Sequence, residues 1–304
     1  MTITWTNPDE VPEGTIVVGW DGSRHAYWAL AWAVDQAIGE RRPITVAHTV
    51  APSVAGEAIV WGDGDQLQQI GASILAGARS YLAEHGPTVE AHALVTVGEP
   101  RRILTGLSRD ASMLVVGSHG RGPVRSKVIG SVGIAVVRDA TCPVVVVRPY
   151  RPGIVRRGVL AAVEAGDPTA TGVAEFGFHE ASVLRLPLTV VHRMPAGSTP
   201  LVVARARRHL SETLAGLRES YPDVHCTAVV QQGDIEEVVL DQAANRNLTV
   251  LGAPRSGGRY RATTVTKIIE RSTNPVVVVP LGSDGAGHGR PPAGASYGQA
   301  GASR

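Results

Sequence analysis

The chain has 304 residues, 18% of them charged and 43% hydrophobic, with a formal net charge of +2. That length suits two domains of ordinary size. So small a charge excess, with only 4% aromatic residues, argues against a nucleic-acid binder, which needs a basic face and stacking surface. No apolar run approaches the ~20 residues that cross a bilayer, so no membrane span is expected.

The opening stretch, MTITWTNPDEVPEG, has neither a basic start nor an apolar core and does not read as a signal peptide. Cys142 and Cys226 lie far apart, with no second Cys or His at metal-ligand spacing. That pattern fits a reducing compartment, and a cytoplasmic location is expected.

Thr15–Gly19 reads as a short apolar strand running into Trp20-Asp21-Gly22-Ser23. Ser23 suits the N-cap of a helix from His25 to Ile38. That helix is apolar nearly all round (Ala26, Trp28, Leu30, Ala31, Trp32, Val34) and is expected to be buried against a sheet. Asp21 sits just past the carboxyl end of its strand, where open α/β sheets take their ligands. Ile44–Val50 is the second strand. In the loop after it, Asp63 and Asp65 suit either a metal ion or the start of the next helix, where negative charge complements the dipole; the helix start is the expectation.

Leu67, Ile70, Ile74, Leu75, Ala78 and Leu82 recur at helical spacing from Asp65 to His85, and Gly86-Pro87 ends that helix. Val89 to Val97 alternates as a half-exposed strand, and Pro100–Arg109 is a short helix. The apolar run Met113–Val116 stops at Gly117 and gives way to a glycine-rich basic segment containing Arg121, Arg125 and Lys127. Gly130-Ser131 then opens a helix, and Cys142-Pro143 leads into four valines. Four β-branched residues in a row suit a strand buried on both faces. The alternation of strands and helices predicts a parallel, doubly wound sheet. A glycine loop against a helix N-terminus is an anion cradle: glycines admit close approach, and the free N–H groups face the ligand.

The spacing Gly117-x2-Gly120-x9-Gly130-Ser131, with Val132 and the closing Cys-Pro-Val-Val-Val-Val, resembles the nucleotide signature of the ATP-binding branch of the universal stress protein family. The resemblance implies an α/β fold with two tandem open parallel-sheet domains, Rossmann-like and similar to the adenine nucleotide alpha hydrolases, packed as a pseudo-dimer. It places the phosphates of ATP on the backbone N–H groups of Gly117, Ser118, His119, Gly120 and Arg121 and on the helix start at Gly130, Ser131 and Val132. Asp21 and the end of the second strand near Thr49 are expected to hold ribose and adenine. Gly19 and Val116, the last apolar positions of their strands, complete the set. Mg²⁺ is expected to ride on the triphosphate, held by phosphate oxygens and water rather than by protein ligands.

Competing nucleotide motifs are missing: no Gly-Lys-Ser or Gly-Lys-Thr occurs, and the turn after the first strand, Gly19-Trp-Asp-Gly22, is not a dinucleotide fingerprint. No Ser/His/Asp or paired-carboxylate constellation can be assembled, so no catalytic residue is nominated. The resemblance implies a nucleotide-dependent regulator in stress or dormancy, with little or no turnover. A slow ATPase and a nucleotide-independent dimeric scaffold remain the alternatives.

After Val147 a proline-rich linker, Arg148-Pro-Tyr-Arg-Pro-Gly153, precedes a second copy of the pattern. Thr45-Val-Ala-His48 corresponds to Thr189-Val-Val-His192, Val116-Gly117 to Leu251-Gly252, and Pro143 to Pro275. The expected division is residues 1–150, 151–281 and a tail, 282–304, whose lack of Val, Leu and Ile predicts disorder. In the second copy Glu164 stands for Asp21, Arg255 for Gly120 and Ala262-Thr263 for Gly130-Ser131, and the loop is three residues shorter. One ATP per chain is therefore expected, in the first copy. Gly257, Gly258, Arg259 and Arg261 read as a solvated basic turn. His48 and His192, at matching strand positions, read as structural. Cys142 and Cys226 read as packing residues. The strands Val144–Val147 and Val276–Val279 are expected to pair with each other. A homodimer or an intramolecular pseudo-dimer, and an unidentified protein partner, are the expected assemblies.

Overall fold

A computed structural model of the chain describes residues 3–50, 64–120, 129–149, 157–164, 170–253 and 262–280. Arg121, Arg125, Lys127, Asp63, Gly153, Arg255, the turn 257–261 and the tail 282–304 lie outside the described residues, as does the Asp65 side chain.

The strands are β1 (Thr4–Thr6), β2 (Ile16–Gly19), β3 (Ile44–Val50), β4 (Ala91–Val97), β5 (Met113–Gly117) and β6 (Val144–Val147) in the first half. They are followed by β7 (Val159–Val163), β8 (Leu188–Met194), β9 (Cys226–Gln232), β10 (Leu248–Gly252) and β11 (Val276–Val279) in the second. The helices are α1 (Arg24–Glu40), α2 (Gly64–His85), α3 (Pro100–Leu107) and α4 (Ser131–Asp139), then α5 (Ala170–Leu184), α6 (Pro200–Ser220), α7 (Ile235–Ala243) and α8 (Ala262–Arg271). All eleven strands form one sheet in the order β1-β4-β3-β2-β5-β6-β11-β10-β7-β8-β9. Within each half every neighbouring pair is parallel. At the centre β6 and β11 run antiparallel, Val145 opposite Val277.

Two cores result, one on each face, and both run through both halves. α1, α2, α5 and α6 cover one face, where Leu30, Leu82, Val145, Phe178, Leu214 and Val277 meet. α3, α4, α7 and α8 cover the other, with Leu104, Val136, Val144, Val239, Ile268 and Val276. Alternate valines of β6 and β11 thus feed opposite cores, which is why these strands are uniformly apolar.

α1 begins at Ser23, whose hydroxyl accepts from the Ala26 N–H at 3.2 Å. It buries a stripe of small residues, Ala26, Ala29, Ala33 and Ala37, with Leu30 and Val34. The large aromatics flank that stripe: Trp28 and Trp32 are only partly buried and Tyr27 is exposed. α1 and α5 end identically, at Arg41 (φ 55°) and Arg185 (φ 53°), two left-handed arginines at repeat-equivalent positions.

Two features depart from expectation. β1 is an added edge strand, pairing Thr4, Trp5 and Thr6 in parallel with His92, Ala93 and Leu94. It covers β4, so Ala91 to Leu94 are all buried and β4 is not the half-exposed strand its alternation suggested. His92 is satisfied there by the Glu90 carboxylate at 2.9 Å. The short helix α3 ends at Leu107, two residues before Arg109.

The halves are joined by more than β6 and β11. Arg148, just past β6, donates to Glu270 O at 2.9 Å and Ser272 O at 3.3 Å, placing its charge at the carboxyl end of α8 where the helix dipole favours it. On the opposite face α1 meets α5. Gly39 allows this contact, since a Cβ there would lie 2.9 Å from Val183 Cγ1. Gln36, only 2% exposed, reaches from α1 to the Glu180 carboxylate of α5 at 2.9 and 3.1 Å.

Candidate functional site

The first half places its crevice where the chain order reverses, between β2 and β5, at the carboxyl ends of the strands. β2 continues past Gly19, with the Trp20 N–H donating to Ala47 O at 2.9 Å. The Trp20 indole N–H anchors this turn to α2 through Ile74 O at 2.9 Å. Asp21 follows, its Oδ1 accepting from the Ser23 N–H at 2.9 Å. The turn is fixed from both sides, with Gly22 at φ 71° supplying the left-handed step.

From β5 the Ser118 N–H donates to Val147 O, and the Gly130 N–H donates back to Ser118 O, each at 3.0 Å. That second bond brings the two ends of the glycine loop together. A Cβ on Gly120 would stand 2.7 Å from Asp21 Oδ2, and one on Gly130 would find the Gly120 N and His119 Cα at 4.0 Å. Asp21, Gly120 and Gly130, distant in sequence, are therefore neighbours. Gly130 is the N-cap of α4 and provides no side-chain cap, leaving the first-turn N–H groups of Ser131, Val132 and Gly133 as anion donors.

The other expected site residues fall into distinct places. Thr49 is half-buried on β3, level with Asp21, two residues beyond the Gly19–Ala47 pair. Ser131 is exposed and Val132 half-buried at the start of α4. Gly19 and Val116 are packing positions: a Cβ on Gly19 would press on Val116 Cγ1 at 3.2 Å and Leu104 Cδ1 at 3.3 Å. The reason for Gly117 also differs from expectation. A Cβ there would lie 2.7 Å from the backbone C and O of His25, so this glycine admits the first turn of α1.

His25 was not legible as a site residue. The structure sets its Nδ1 3.1 Å from Ser118 Oγ, and the same hydroxyl lies 3.1 Å from His119 Nδ1. Ser118 has no exposed surface, and the two imidazoles tilt against each other with centroids 4.9 Å apart. Burial pushes the His25 imidazole below its usual value. His119 and Arg148 push the same way, and Asp21 opposes them. His25 thus sits beside Ser118 and His119, at the start of the glycine loop. The only available signal was its place four residues after Asp21, which helix periodicity does not single out.

The remaining singled-out residues are structural. His48 Nδ1 meets Trp20 O at 2.7 Å, and its counterpart His192 Nδ1 meets Val163 O at 3.2 Å. Cys142 is buried, its thiol pushed up to about 12 chiefly by burial. Cys226 is half-buried on β9, its thiol also raised by burial. In the second half the Ala253 N–H donates to Val279 O at 2.8 Å, reproducing the Ser118–Val147 bond, and α8 starts at Ala262 without a glycine before it. No helix among the described residues is long and apolar enough to cross a membrane.

A sequence model of the universal stress protein family matches residues 14–148. A universal stress protein of Mycobacterium tuberculosis is 33% identical over 229 residues, covering 74% of this chain and 83% of its own length. The chain belongs to the universal stress protein family. A second relative, from Mycolicibacterium smegmatis, is 28% identical over 287 residues and covers 87% of this chain and 96% of its own. Among solved structures, a universal stress protein from Archaeoglobus fulgidus superposes with a TM-score of 0.64 at 16% identity, over 88% of this chain and 97% of that one. These relatives span both halves, which fits a tandem universal stress protein. The family model matches the half whose glycine spacing is intact.

Proposed function

We propose that the first half binds one ATP and that the nucleotide governs the conformation or partner binding of a stress or dormancy regulator. The convergence of Asp21, Gly120 and Gly130 carries the reading. Gly120 and the α4 N-cap at Gly130 meet across a space that side chains would narrow, and the uncapped N–H groups of α4 offer a phosphate-sized set of donors. Asp21 Oδ1 accepts from the Ser23 N–H and Oδ2 lies toward Gly120, and this carboxylate would accept from ribose hydroxyls. Mg²⁺ would be held by phosphate oxygens and water, supplying charge neutralisation.

In this proposal residues 1–150 and 151–281 are the two domains, and 282–304 is a tail without a binding role. The second domain packs on the first and holds no ATP of its own. Further homodimerisation uses surfaces outside the central joint, and the chain works in the cytoplasm. One observation favours slow ATP hydrolysis as a second reading: the His25–Ser118–His119 cluster adjoins the loop proposed to hold the phosphates. Extraction of the ligand from denatured purified protein tests the main reading; absence of adenine nucleotide, with no ATP-induced rise in melting temperature, overturns it. Single-turnover phosphate release, compared between the parent chain and His25→Gln, tests the second.

A further inference from the structure

The contact between α1 and α5 encloses a cluster that the nucleotide reading does not use. Glu40 and Gln36 come from the first half, His179 and Glu180 from the second. Glu40 Oε1 lies 3.5 Å from His179 Nε2, and one ligating atom from each of Glu40, His179 and Glu180 falls within 4.8 Å of the others. Gln36 Nε2 sits between the two carboxylates, in contact with Glu40 Oε1 and 2.9 Å from Glu180 Oε1. Arg42 Nε holds the outer oxygen of Glu40 at 2.7 Å. Glu180 has no exposed surface, and among the described residues the hydrogen bonds to its carboxylate come from the neutral Gln36 amide. A carboxylate so placed is stabilised either by taking up a proton or by a cation beside it.

We propose that Glu40, His179 and Glu180 bind one divalent transition-metal ion of the zinc class, which bridges the two halves of the chain.

The spacing of Glu40 and His179 suits such an ion. Two ligands of a tetrahedral centre with bonds of about 2.1 Å stand about 3.4 Å apart, close to the observed 3.5 Å between Glu40 and His179. Rotating the Gln36 carboxamide by half a turn exchanges its NH₂ for its carbonyl oxygen at the same place, supplying a fourth ligand. One imidazole and three oxygens form a donor set for zinc, cobalt or manganese rather than for a soft ion. Arg42 then acts as an outer-shell partner, fixing the orientation of Glu40. His179 is 28% exposed at its side chain and gives the ion access from solvent. The site is also remote in sequence from the glycine loop, so the two occupancies are separable.

The test uses the full chain, stripped with chelator and free of nucleotide, titrated calorimetrically with Zn²⁺ alone. One ion per chain and a rise in melting temperature are expected. Glu180→Gln, which preserves volume, and His179→Asn should each weaken binding at least about tenfold. No binding in the unaltered chain, or undiminished binding in both variants, overturns the proposal. The visible spectrum of the Co²⁺-loaded unaltered chain decides independently of whether the variants fold. Intense four-coordinate bands are expected, and a weak octahedral spectrum refutes the site.

Discussion

Two glycines of the same motif should respond in opposite ways to a single added methyl group. Gly117→Ala places a Cβ 2.7 Å from the backbone of His25, so the start of α1 must shift. Overpacking of that kind costs about 1–3 kcal/mol. With an unfolding entropy near 2.1 cal/mol/K per residue, a chain of this size loses about 2 to 5 °C of melting temperature. Gly130→Ala meets its nearest neighbours at 4.0 Å, on a backbone with φ −59° and ψ 150° that alanine adopts freely. Its ligand-free melting temperature should stay within about 1.5 °C of the parent, because glycine and alanine differ by only a few tenths to about 1 kcal/mol at such a position. The nucleotide response reverses the order. ATP at about 100 times its dissociation constant stabilises by roughly 2.7 kcal/mol, or about 4 °C for this chain. Gly130→Val should lose that shift, because its side chain occupies phosphate space. Melting curves with and without ATP measure all of these. An ATP shift that survives Gly130→Val, or a ligand-free loss in Gly130→Ala matching that of Gly117→Ala, refutes the assignment of roles.

The His25 imidazole has its proton affinity lowered by folding, so the unfolded chain binds the proton more readily and stability rises with pH across that interval. His25 should therefore favour the fold fully above its ordinary value near 6.5 and progressively less as pH falls below it; the difference in melting temperature between the parent and His25→Gln, followed from pH 7.5 to 5 in roughly half-unit steps, should shift in favour of the variant on acidification, and a pH-independent difference contradicts this. Arg148→Met removes two hydrogen bonds to the carboxyl end of α8 and should destabilise by about 1.5–3 kcal/mol, read by denaturant unfolding; an unchanged midpoint would show that the joint does not depend on them. Deleting residues 282–304, which contain no Val, Leu or Ile, should leave melting temperature and ATP binding unchanged, and a loss of several degrees would show that the tail docks.

Most strands and their alternation with helices were legible because buried parallel strands announce themselves as β-branched runs, and the repeat supplied a second reading of each. The paired histidines His48 and His192 were legible for the same reason: a residue kept in both copies of a fold answers to the fold. β1 escaped notice because three residues of alternating polarity beside Asn7-Pro8 carry no periodicity, and only their pairing with β4 makes them a strand. Gly117 fitted the glycine spacing yet serves helix packing, a distinction that depends on where α1 begins in space. His25 and the Gln36–Glu40–His179–Glu180 cluster were out of reach because their partners lie about a third to half of the chain away. Neither group has a spacing rule that ties it together.

The central antiparallel pair explains how the two copies can diverge. Because β6 and β11 run in opposite directions while each half is otherwise parallel, the carboxyl ends of the two sets of strands face opposite edges of the sheet. The two crevices therefore open at opposite ends of the strands. The joint depends on the valines of β6 and β11, on Arg148, and on the α1–α5 contact, of which only the end of β6 borders the first glycine loop, where Val147 O accepts from the Ser118 N–H. Substituting Glu164 for Asp21 and shortening the second loop by three residues leaves each of these intact. The valine runs remain because each faces both cores at once, where a single polar residue would be buried without a partner. The glycine spacing has no such structural enforcement at Gly130, whose Cβ the fold would accommodate. Retention of that glycine in the first copy and its replacement by Ala262 in the second is what a ligand requirement on one side only produces.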